Sequence, residues 1–95
     1  MAKQYNWLFL KTVGERIAYF RHKAQLSQEE LAAQTNLHRT YIGFIEQGKR
    51  DPSVGSLERI ANALNVPLQN FFDPSSLQVA EDKTPYKETK KSSKD

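Results

Sequence analysis

Leu10, Val13, Ile17, Phe20 and Ala24 recur at steps of three and four residues, the interval that gathers side chains on one face of an α-helix. No stretch of the chain alternates apolar and polar residues with period two, as a half-buried strand requires. The apolar side chains must therefore be hidden by packing helix on helix, and the expected fold class is all-α. Punctuation along the chain agrees. Ser27 stands three residues before Glu30, so its hydroxyl can accept from the third helical N–H while the Glu30 carboxylate accepts from the serine N–H. Leu31 and Ala32 give this second helix its buried side. Thr35-Asn36-Leu37 ends it, because Asn tolerates the left-handed conformation that a tight turn needs.

A third helix is expected from His38 or Arg39 to Gln47, with Tyr41, Ile42 and Ile45 as core contacts and Gly48 as its stop. Asp51-Pro52-Ser53 makes a turn. Leu57, Ile60, Ala61 and Leu64 form the stripe of a fourth helix, capped by Ser53 and ended by Asn65. Pro67 suits the first turn of a fifth, very short helix in which Leu68, Phe71 and Phe72 close the core. The expected organisation is an N-terminal extension over 1–9, a compact five-helix domain over 10–72 and a tail over 73–95. The tail is Lys, Glu, Ser, Thr and Asp with few apolar groups, and its composition predicts disorder.

A chain of 95 residues holds one domain with a thin margin of stability, which association with a second copy would widen. Cysteine is absent, which excludes a disulfide scaffold or thiolate metal site and makes a reducing cytoplasm the expected compartment. The longest apolar run near the start, 7–10, is four residues against the roughly 20 that span a bilayer, so no membrane role is expected. The formal net charge of +3 is unevenly spread: nine Lys or Arg oppose six Asp or Glu up to Phe72, and five oppose five beyond it. Any attraction for a polyanion therefore resides in the patterned part. His22 and His38 lack acidic or serine partners at suggestive spacing, and no Gly-rich loop precedes a helix. The two histidines stand 16 positions apart and belong to no ligand pair. No enzyme activity, metal or cofactor is expected.

A helix, a three-residue turn and a second helix between Gln28 and Gln47 make the geometry in which one helix crosses the phosphate backbone and the next enters the major groove. The segments Gln28-Glu29-Glu30-Leu31-Ala32, Leu37-His38-Arg39-Thr40-Tyr41-Ile42 and Ile45-Glu46-Gln47-Gly48-Lys49-Arg50-Asp51-Pro52 resemble the DNA-binding domain of lambdoid phage repressors and Cro proteins. The resemblance covers residues 10–72. Within that class, the Arg39-Thr40-Tyr41-Ile42 run and the small size look most like the controller proteins of restriction–modification systems. The resemblance implies a repressor-like fold and a sequence-specific regulator on double-stranded DNA. It makes Ala32 the small residue at the helix crossing, and Asn36 a replacement for the glycine usual at the turn. It also implies a structural salt bridge between Arg21 and Glu46, and a phosphate contact for Gln28 beside the N-terminus of its helix.

Arg39 opens the recognition helix, and its planar fork matches the two acceptors of a guanine edge; the competing reading is a solvated arginine that touches only phosphate. Thr40 suits a thymine methyl, a phosphate or simple exposure at a helix start. Gly43 and Phe44 continue the exposed face one turn on, where the family more often has polar side chains. A mid-helix glycine costs about 1 kcal/mol against alanine, so a close approach to DNA or to a neighbouring helix is expected there. Phe44 fits a thymine methyl, or burial against the fourth helix or a partner subunit. Arg39, Thr40, Gly43 and Phe44 form the expected base-contacting set, and Gln28, His38, Tyr41, Lys49 and Arg50 the expected phosphate-contacting set.

One recognition helix reads a short half-site, so a homodimer on a palindromic operator is expected, with recognition helices about 34 Å apart. Its contact is expected around Leu68, Phe71 and Phe72, or at the aromatic cluster Tyr5, Trp7 and Phe9. RNA polymerase is a candidate further partner. The competing reading is an antitoxin-like interaction module of the same fold, whose tail, with Leu77, Val79 and Tyr86, orders on a protein partner.

Overall fold

The computed structural model describes residues 6–72. They form α1 (Trp7–Lys23), α2 (Gln28–Thr35), α3 (Arg39–Glu46), α4 (Val54–Leu64) and a 3-10 turn at Leu68–Phe71, with no strand among them. The expected tail over 73–95 and Tyr5 lie outside the described residues.

Three of the four helices begin on a side-chain cap. The Asn6 carboxamide oxygen accepts from the Phe9 N–H at 3.0 Å, Ser27 and Glu30 form the reciprocal pair at 2.9 and 2.8 Å, and Ser53 Oγ accepts from the Ser56 N–H at 3.0 Å. Under the Asn6 cap α1 starts at Trp7, so the helix takes in residues 7–9 ahead of the buried stripe that opens at Leu10. Periodicity marks only a buried face, and the first turn of α1 keeps Trp7, Leu8 and Phe9 exposed.

All four helices close in the same way: a residue in the left-handed region is followed by an N–H that reaches back five residues. The closing bonds are Leu26 to the Arg21 carbonyl, Leu37 to Ala32, Lys49 to Phe44 and Val66 to Ala61, at 2.9–3.1 Å. The left-handed residues are Gln25, Asn36, Gly48 and Asn65, with φ between 59° and 76°. Two asparagines and a glycine suit that role; Gln25, with its longer side chain, does not. Gln25→Gly is expected to stabilise the domain by up to about 1 kcal/mol, read as a raised urea midpoint.

The expected fifth helix is corrected to a single 3-10 turn. Its bonds run from Asn70 to the Pro67 carbonyl and from Phe72 to Gln69, each at 3.0 Å. Pro67 precedes the turn as its cap residue. The i→i+3 bonds are the pattern of a 3-10 helix, which is used in short pieces of this length.

Each element sends one wholly buried side chain to the centre: Ile17, Leu31, Ile42, Ile60 and Phe71 all have 0% exposure. Phe71 also packs obliquely on Phe20 at 6.2 Å between ring centroids. Phe72 differs from the expected core role, since it stacks on Phe9 at 6.1 Å and both rings stay partly in solvent. Two further contacts set how the helices meet. A Cβ on Gly14 would collide with the backbone carbonyls of Ile45 and Glu46, the latter at 2.6 Å, so the glycine lets α1 lie directly on the end of α3. Arg16 is buried, and its Nη1 donates to the Phe71 carbonyl at 3.2 Å, tying α1 to the 3-10 turn.

Candidate nucleic-acid interface

The turn between α2 and α3 is residues 36–38, three residues with Asn36 left-handed. It leaves α3 with its Ile42 and Ile45 side buried and Arg39, Thr40, Phe44 and Gln47 exposed. His38 precedes α3 and makes no side-chain cap bond, and no acidic residue occupies the first turn. The partial positive charge of that terminus is therefore uncompensated by its own helix, an arrangement that favours an approaching anion.

Behind this face lies a buried ionic network. Arg21 donates from Nε to Glu46 Oε2 at 2.7 Å and from Nη2 to Glu46 Oε1 at 3.0 Å, a two-pronged pair with side-chain exposures of 10% and 7%. The third guanidinium nitrogen donates to the Leu26 carbonyl at 2.9 Å. Arg21 Nη2 also lies 3.3 Å from His22 Nε2. Glu46 Oε1 further accepts from Gln28 Nε2 at 2.9 Å. The network thus links the end of α1, the end of α3 and the first residue of α2.

Gln28 reaches Glu46 by crossing α3 at Gly43. The structure corrects the expectation that Gly43 lies on an open face: Gly43 is buried, and a Cβ there would meet the Gln28 amide at 3.8–3.9 Å. The glycine side of α3 is covered because the Gln28 side chain lies over it. Tyr41 packs against the core as expected, with its hydroxyl donating to Ser56 Oγ at 3.3 Å and its ring 5.4 Å beneath the Arg50 guanidinium. That contact holds Arg50 beside α3. Arg39, Thr40, His38, Lys49 and Phe44 are exposed, and Phe44 is not buried against α4. Arg39 Nε lies 3.4 Å from Glu29 Oε2.

A helix-turn-helix family model matches residues 17–71, more than half of the chain. The chain belongs to the helix-turn-helix family. Among its relatives, the control protein C.BamHI of Bacillus amyloliquefaciens is 38% identical over 71 residues, covering 74% of this chain and 88% of that protein. The restriction–modification controller protein C.AhdI of Aeromonas hydrophila has a similar structure, with a TM-score of 0.65 and 35% identity over 66% of this chain and 96% of that one. SinR, a master regulator for biofilm formation solved in complex with DNA, matches with a TM-score of 0.62 and 29% identity over 64% of this chain and 98% of that one.

Within this helix-turn-helix frame, sequence reasoning missed Gly14, Arg16 and Glu29. Gly14 carried a legible signal, a lone glycine inside a strong helical pattern. Arg16 and Glu29 carried none, since each reads as an ordinary charge on a helix. Among the described residues no helix is long and apolar enough to cross a membrane.

Proposed function

We propose that the chain is a sequence-specific, double-stranded DNA-binding transcriptional regulator. α3 enters the major groove with Arg39 and Thr40 towards base edges and Phe44 beside them, while Gln28, His38, Lys49 and Arg50 meet phosphates. Gly43 serves the Gln28 path and is left out of the base-contacting set; Tyr41 acts by supporting Arg50. The observation that carries this reading is the short turn that presents the start of α3, with Arg39 exposed, while the other side of α3 is locked into the core. Likeness to control proteins supports the narrower reading of a restriction–modification controller.

The active form is a homodimer on a palindromic operator. The stacked Phe9 and Phe72 bring the two expected contact regions together as one apolar surface, which supports this. RNA polymerase is the further partner such a regulator addresses.

Selection of bound duplexes from a random library tests the proposal. The native protein is expected to enrich a palindromic motif, and Arg39→Ala to relax one base pair per half-site, a loss of about 1–3 kcal/mol of discrimination. Uniform, salt-sensitive binding with no enriched motif would replace this reading with the interaction module.

A further inference from the structure

Glu29, the second residue of α2, and Arg39, the first of α3, meet across the turn. The Glu29 carboxylate engages the inner guanidinium nitrogen, Nε, at 3.4 Å, with 55% of the Arg39 side chain and 70% of the Glu29 side chain exposed. Among the described residues no hydrogen bond occupies its two terminal nitrogens, and those are the pair that fits N7 and O6 of guanine end-on. An arginine on an open surface samples many rotamers, and ordering it on contact with DNA weakens binding. A carboxylate on Nε removes part of that disorder and leaves the reading atoms in place. The same negative charge opposes an alternative pose in which Arg39 folds back onto a phosphate, because the phosphate would have to displace or approach the carboxylate.

We propose that Glu29 is a specificity-determining positioning residue, which buttresses Arg39 so that its terminal nitrogens address guanine rather than the DNA backbone. This inference rests on the reading of Arg39 as a base contact. It gives an acidic residue on the DNA-facing side a purpose: Glu29 lowers affinity for DNA in general while raising the preference for guanine at one position.

The test measures, by competition titration of the 95-residue chain, the affinity for the selected operator and for operators carrying each other base at the position that Arg39 reads. Native protein, Glu29→Gln, Arg39→Ala and the double variant are compared, with thermal unfolding as a check on the fold. Glu29→Gln is expected to unfold like the native protein and bind unrelated duplexes more tightly. Its preference for guanine is expected to fall by about two- to fivefold, the range that an exposed ion pair supports. In the Arg39→Ala background the same change is expected to leave the base preference unaltered. If Glu29→Gln keeps the full preference while Arg39→Ala loses it, the buttress is overturned and the base contact stands. A Glu29→Gln loss that persists without Arg39 also overturns it, since the carboxylate then acts through another group. If Arg39→Ala relaxes no base pair, the base contact falls and the buttress with it.

Discussion

Replacing Glu46 with Leu is expected to destabilise the domain by about 3–5 kcal/mol, and Arg21→Met by a similar amount, whereas the double replacement costs much less than either. Both side chains are nearly sealed from solvent, and each satisfies the other through two hydrogen bonds. Removing one leaves a desolvated charge with no counter-charge; removing both leaves an apolar contact of similar volume. Urea unfolding of the two single variants and the double variant checks this, and strictly additive losses would contradict it. DNA affinity should not follow stability. The double variant regains much of its fold but still lacks the carboxylate that holds Gln28, so binding is expected to remain weaker than native.

Gly14→Ala is expected to cost about 3 kcal/mol, the upper end of the usual range for overpacking. The obstructing atoms are backbone carbonyls near the end of α3, and no rotamer change can move them aside. Gly43→Ala is the internal comparison. Its new methyl would touch only the flexible Gln28 amide at ordinary contact distance, and alanine gains helix propensity worth about 1 kcal/mol. Opposite shifts of the urea midpoint are therefore expected from the same chemical change at two glycines. If Gly43→Ala is stabilised yet binds DNA less well, the glycine is retained for the interface and not for the fold.

The elements were legible where a local rule acts alone. The Ser27–Glu30 cap, the Asn36 and Asn65 turns and the Gly48 stop each depend on a few neighbouring residues, and each stands where the spacing puts it. Misreadings arose where a partner distant in sequence decides the outcome. Gly43 looks exposed by its place on the α3 wheel, and only the course of the Gln28 side chain towards Glu46 covers it. Tyr41 meets the core as its spacing predicts, but the bond of its hydroxyl to Ser56 on the next helix is not legible locally. Apolar spacing is silent about the first turn of α1, whose Trp7, Leu8 and Phe9 side chains stay in solvent. Gln25 shows the limit of residue statistics, since helix closure imposed a left-handed backbone on a residue type that seldom adopts it.

The Phe9–Phe72 stack joins rings from the two extremities of the described chain. The first turn of α1 and the residue that closes the 3-10 turn therefore meet in one neighbourhood of the domain. A substitution at either ring perturbs the same aromatic pair, and the proximity makes the described domain a natural candidate for circular permutation, with new ends opened in an exposed loop.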